Sequence, residues 1–170
     1  MNIEKSVLIS IRPKWCKLIA LGKKTVEVRK TKPKLETPFK CYIYCTLSGS
    51  NEFFKEDCKG DIAEWNRSEI ALKKGKVIGE FVCDYMTGFK AMGEVQAIYN
   101  ETQETCLSND EIIKYAEGKR LYYWHISDLV IYDKPKELNE FVVERYPCLA
   151  KLKRPPQSWC YVEDVEGGVL

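Results

Sequence analysis

Short apolar runs separated by charged connectors set the pattern of this chain. Val7 to Ile11 (Val-Leu-Ile-Ser-Ile) predicts a strand. A helix is expected from Pro13 to Leu21, because proline suits a first helical turn and Trp15, Leu18 and Ile19 share one face at helical spacing. Gly22 falls where a left-handed residue ends a helix. Thr25 to Lys30 follows as a strand, in which Thr25, Glu27 and Arg29 line one side and Val26 and Val28 the other. Lys30 to Lys40, with Pro33, Pro38 and four lysines, reads as a solvated connector.

The pattern continues with Cys41 to Thr46, a strand apolar on both faces. Leu47 to Lys74 has turn residues at Ser48 to Asn51 and aromatic residues amid many charges, and is expected to be an insertion, helical over part of Asp61 to Lys74. Lys76 to Asp84 is a strand whose interior Gly79 predicts a bulge or a close backbone approach. A further strand is placed at Val95 to Tyr99. Ser108 and Glu111 fit a capping box for a helix that Gly118 ends. Tyr122 to Asp133 reads as one long aromatic strand, followed by a turn near Glu137 to Phe141 and a last strand from Gln157 to Glu163. Six or seven strands, two helices and no strand-helix alternation predict an α+β fold, a mixed β-barrel of about six strands with flanking helices. Residues 1–170 are taken as a single domain, with 47–74 inserted into it.

Composition narrows the class. Hydrophobic residues make up 45% and charged residues 31%, an ordinary globular balance without low-complexity tracts. No apolar run approaches the roughly 18 residues of a membrane span, and the N-terminus lacks the apolar core of a signal peptide, so the expected location is the cytoplasm, away from membranes. The eight cysteines are scattered, and most are expected to be reduced core thiols. Cys41 and Cys45 are the closest pair and His125 is the sole histidine, which argues against a zinc site; Cys41, Cys45 and Cys58 are the weak alternative. Nucleotide-binding glycine loops, nucleophile elbows and metalloprotease motifs are absent, and no metal or cofactor is expected. His125, lying among strand aromatics, reads as a hydrogen-bonded core residue.

Charge changes the picture more. The net charge is +2, yet Met1 to Lys40 holds eleven basic and three acidic residues, a local balance of +8. Such asymmetry suits an anionic partner, with nucleic acid the first candidate. Within this segment, Lys24, Glu27 and Arg29 follow a capped helix at whose start stand Arg12 and Lys14, where backbone N–H groups also favour anions. In isolation, Gly22 to Arg29 reads as a solvated strand with a weak ion pair. Its position after the helix and the surrounding charge favour an electropositive cleft containing one carboxylate.

Gly22, Lys24, Glu27 and Arg29 match the Gly-x-Lys-x-x-Glu-x-Arg motif of the ASCH domain, a relative of the PUA domain. Ile9-Ser10-Ile11-Arg12-Pro13-Lys14-Trp15 resembles the opening of ASCH domains, except that Lys14 separates the proline from the tryptophan. Trp124 to Asp133 and Pro155 to Val162 resemble the later strands of small bacterial and phage-type members. The resemblance implies a PUA-like barrel, a motif-lined cleft and binding of RNA or another nucleic acid. One branch of small ASCH proteins hydrolyses acylated cytidine nucleosides with a lysine and a threonine of this motif and a later glutamate. Lys24 matches that lysine, and Glu27 stands where that branch has its threonine. Ribonuclease activity within the wider family is a second enzymatic option that the resemblance brings.

Three functions follow as expectations. The first is a nucleic-acid or nucleotide-binding module, RNA foremost, in which Arg12, Lys14, Lys24 and Arg29 meet phosphate, Trp15 or Trp159 stacks a base, and Glu27 orients Arg29 or accepts from a base amine. The second is a hydrolase of a modified nucleoside or an RNA phosphodiester, with Glu27 as general base and Lys24 or Arg29 stabilising developing charge. The third is a protein-interaction domain in which the motif is a structural ion-pair network.

Overall fold

The computed structural model describes residues 5–48, 74–90, 103–145 and 148–163. The expected helix within Asp61 to Lys74, the strand at Val95 to Tyr99, and Cys58 lie outside the described residues, apart from Lys74 itself.

β1 (Lys5–Ile11) is buried along nearly its whole length, which explains why its sequence is an apolar run without alternation. It pairs in parallel with β3 (Phe39–Cys45) and antiparallel with β10 (Trp159–Glu163). β4 (Val77–Cys83) and β7 (Ser127–Lys136) complete a five-stranded sheet of order β10-β1-β3-β4-β7. The parallel β1–β3 connection runs through helix α1 (Pro13–Ala20) and strand β2 (Val26–Arg29). β2 belongs to a second sheet, of order β2-β6-β5, with β5 (Met86–Lys90) and β6 (Arg120–His125). A hairpin of β8 (Val142–Arg145) and β9 (Cys148–Lys151) forms the third.

Three clusters fill the space between layers. Val7, Ile9, Ile11, Ile43 and Phe81 meet α1 through Cys16 and Ile19, and meet the second sheet through Trp124. On the other face of the large sheet, Leu8, Tyr42 and Val162 pack against Phe141 and Val143 beside the hairpin. Helix α2 (Asn109–Ala116) presses Ile112 and Ala116 onto Val26, Val28, Leu121 and Tyr123 of the second sheet.

The α+β class and both helices are present, but several expectations need correction. The described strands form three sheets, not one closed barrel, and they number ten. Tyr122 to Asp133 is not one strand. It divides at Ile126, whose N–H donates to the Thr25 carbonyl at 2.8 Å, so β6 and β7 join different sheets. Aromatic and β-branched residues on both sides of the break conceal it in the sequence. The short strand β5 and the β8–β9 hairpin were not expected; only the 3-10 turn at Leu138–Glu140 was.

Gly79 does mark a close approach. A Cβ there would stand 2.3 Å from the Val130 carbonyl oxygen, and the β4–β7 register shifts beside it. The Gly75 N–H donates to the Cys45 carbonyl at 2.7 Å, so the two flanks of the 47–74 stretch meet at the end of the β3–β4 ladder. Cys16, Cys41, Cys45 and Cys83 are buried free thiols, as expected of core cysteines, whereas Cys148 is exposed.

Candidate functional site

The site begins with the end of α1. The Lys23 N–H donates to the Leu18 carbonyl and the Gly22 N–H to the Ile19 carbonyl, each at 2.9 Å, with Gly22 at φ +68°. This is a Schellman turn, and it needs a residue that tolerates the left-handed region. It reverses the chain so that Lys24 enters the protein and β2 starts immediately after it.

β2 is not a solvated strand: all four of its residues are buried. Val26 and Val28 pack beneath α2, so Glu27 and Arg29 face the opposite way, as strand alternation requires. Lys24, Glu27 and Arg29 are only 2%, 6% and 9% exposed. Glu27 lies between the two cations, with Oε2 3.4 Å from Lys24 Nζ and Oε1 3.0 Å from an Arg29 terminal nitrogen. Lys24 donates to the Thr105 carbonyl at 2.7 Å, and Arg29 donates to the Ser10 carbonyl at 2.7 Å and to Ser158 Oγ at 3.4 Å. Two polar atoms stay without a hydrogen-bond partner, Glu27 Oε2 and Arg29 Nε. Burying charges is costly unless pairing and hydrogen bonds compensate, and here that compensation is incomplete.

These groups line a cavity of about 460 Å³, within the size range of small-molecule sites, with Ser10, Arg12, Trp15, Thr46, Tyr115 and Gln157 among the other lining residues. Arg12 is exposed and precedes α1, where its carbonyl accepts from the Trp15 and Cys16 N–H groups. Trp15 presents its ring to Lys24 Nζ at 5.2 Å from the centroid, a cation–π distance.

The cavity thus gathers Arg12, Trp15, Lys24, Glu27 and Arg29. Two other expected residues stand outside it. Lys14 lies over the Trp15 ring, 4.7 Å from the centroid, and Trp159 donates from Nε1 to Thr31 Oγ1 at 3.0 Å while packing near Trp124 and Tyr161. Thr105, Tyr115, Gln157 and Ser158 were not foreseen. They reach the motif from positions far away in the chain, and no local spacing signals them.

His125 lies apart from the cavity. Its register partner is Val26, and its Nδ1 sits 2.6 Å from Asp84 Oδ1 with the ring stacked on Tyr85 at 4.4 Å. Desolvation pushes the Asp84 carboxyl up, but the His125 hydrogen bond and local backbone donors outweigh it and hold the group below its ordinary value. Among the described residues no cluster of three or more His, Cys, Asp or Glu could hold a metal ion, and no helix is long and apolar enough to cross a membrane.

Neither a protein-family model nor a curated protein matches the chain. Solved structures do. The crystal structure of ASCH from Zymomonas mobilis superposes with a TM-score of 0.60 at 21% identity, covering 92% of this chain and 86% of that one. A tyrosine-to-phenylalanine mutant of the same protein gives 0.60 at 20% identity over 92% of this chain and 88% of that one. A serine-to-alanine mutant gives 0.61 at 20% identity over 95% and 90%. At such identity the likeness speaks for architecture, and it agrees with the motif geometry: this chain has the fold of an ASCH-type domain.

Proposed function

We propose that the protein binds RNA or a nucleotide in the cavity above Lys24, Glu27 and Arg29. The observation that carries this reading is the buried network itself, in which Glu27 lines an open cavity and has one carboxylate oxygen, Oε2, that is ion-paired with Lys24 at 3.4 Å but makes no hydrogen bond. A base amine satisfies that oxygen, Arg12 and the outer donors of the cavity suit phosphate, and the Trp15 and Tyr115 rings suit a stacked base. Lys24 has a different role from the one its charge suggests. Its ammonium is engaged by Thr105, Glu27 and Trp15, so it fixes Glu27 more than it meets phosphate. The ASCH-type fold adds support by fold-level analogy.

The test is a thermal-shift screen with nucleosides, nucleotides and short RNAs, followed by titrations of Arg12→Ala and Glu27→Gln. Arg12→Ala is expected to weaken phosphate-bearing ligands about ten-fold. Glu27→Gln is expected to remove the preference for bases that carry an exocyclic amine. If none of these compounds stabilises the protein, the reading is wrong.

The Glu27 oxygen that makes no hydrogen bond also favours a second reading, hydrolysis of a modified nucleoside or of an RNA phosphodiester, with that oxygen accepting a proton from water. Product analysis by mass spectrometry decides it. Turnover must occur, and must fall by at least about a hundred-fold in Glu27→Gln.

A further inference from the structure

Beyond the cavity, every second residue from Lys30 to Lys34 is a lysine, and each of these positions meets a tyrosine from a different element, the first two through the ammonium and the third through its backbone. Lys30 Nζ lies 5.0 Å from the Tyr115 ring centroid of α2, and Lys32 Nζ lies 5.8 Å from that of Tyr122 on β6. The Lys34 N–H donates to Tyr161 Oη on β10 at 2.7 Å. The segment is anchored from below, since Trp159 Nε1 donates to Thr31 Oγ1 and Pro33 is buried. Its ammonium groups therefore hang on a fixed backbone. Lys30 is paired with Glu117 at 2.5 Å, whereas among the described residues neither Lys32 nor Lys34 has an acidic partner.

The segment is continuous with the cavity at three points. Arg29, which lines the cavity, directly precedes Lys30; Tyr115 lines the cavity and also carries Lys30; and Ser158, bonded to Arg29, directly precedes Trp159, bonded to Thr31. From this continuity we infer that Lys30, Lys32 and Lys34 form a track for the phosphodiester backbone of a single-stranded nucleic acid whose terminal or flipped-out nucleotide occupies the cavity. The inference rests on the binding reading above and adds a direction to it: the strand leaves past Arg29 and runs along Lys30 to Lys34. Spaced cations beside tyrosine rings match a backbone of regularly spaced charges, and the anchored loop lowers the ordering cost of binding it.

The test compares a cytidine dinucleotide with an oligocytidylate of about ten nucleotides, whose base carries the exocyclic amine that Glu27 suits, a length within common single-strand site sizes. Both are titrated by fluorescence anisotropy against the full chain and the double variant Lys32→Gln/Lys34→Gln. Both lysines are exposed and neither lines the cavity, so the variant should keep the wild-type melting temperature. The expected result is a loss of about ten-fold for the longer probe, a salt slope shallower by about 1.4, and no change for the dinucleotide. Unchanged affinity and slope for the longer probe would overturn the track while leaving the cavity reading intact. Failure of the wild-type chain to bind either probe would overturn the cavity reading, and the track with it. A polyglutamate peptide of similar length that binds as tightly as the oligonucleotide would overturn the choice of nucleic acid in favour of an acidic protein.

Discussion

Lys24, Glu27 and Arg29 are arranged so that one carboxylate separates two buried cations, and the energetic consequence is asymmetric. Removing the carboxylate alone, as in Glu27→Ala, leaves two uncompensated buried charges and is expected to cost about 3–5 kcal/mol in urea denaturation. Replacing all three by apolar residues of similar length should restore most of that stability, because buried ion pairs seldom outperform well-packed hydrophobic groups. If the apolar triple variant is as unstable as Glu27→Ala, the network exists for the fold; if it is stable but inert toward ligand, the network exists for binding. A second residue-scale effect concerns Asp84. Its carboxyl is held below the ordinary value of 3.8, so its contribution to stability is full above that value and is lost as pH falls through the lowered one. Asp84→Asn should therefore flatten the dependence of melting temperature on pH below about pH 4.

At the scale of elements, the turn after α1 decides where Lys24 goes. A Cβ at Gly22 meets nothing within 4 Å, so the penalty for substituting it is purely one of backbone conformation. Gly22→Ala is expected to cost about 1–2 kcal/mol and Gly22→Asn clearly less, since asparagine tolerates the left-handed region. Equal losses in the two variants would point to a cause other than φ. This element was readable in advance because its signals are local: Pro13 at the first turn, the apolar stripe of Trp15, Leu18 and Ile19, and Gly22 at the end. The same holds for α2, where the Glu111 N–H donates to Ser108 Oγ at 3.2 Å and the Ser108 N–H donates to Glu111 Oε2 at 2.8 Å. β2 was placed correctly to within a residue at each end, but its burial was not legible. Alternating valines and charges look like an exposed strand until α2 covers one face and the cavity encloses the other.

For the molecule as a whole, sheet membership is what the sequence withheld. Ile126 separates two strands that read as one, and only the hydrogen bond from its N–H to Thr25 shows which sheet each half joins. Gly79 was legible as a special position, and the reason is now specific: β4 and β7 approach too closely there for any side chain. Gly79→Ala should push these strands apart and cost about 1–3 kcal/mol, with amide hydrogen exchange accelerated in β7 more than in β10. Uniform acceleration across both strands would instead indicate a global loss of stability. The cavity walls obey the same logic as the sheets. Arg12, Trp15, Lys24, Glu27 and Arg29 were found from one short segment, while Thr105, Tyr115, Gln157 and Ser158 come from folds of the chain that no spacing records.

Those distant partners have a consequence for biosynthesis. The motif is made before its partners: Lys24 waits for Thr105, 81 positions later, and Arg29 for Ser158, 129 positions later, while Ser10 Oγ donates to the carbonyl of Pro156 across 146. The strand that follows this last group, β10, pairs along the edge of β1, which is synthesised well before it. A nascent chain consequently carries a strongly basic segment whose cavity is unfinished until synthesis has passed Glu163. During that interval its charge can attract polyanions before the walls of the cavity exist.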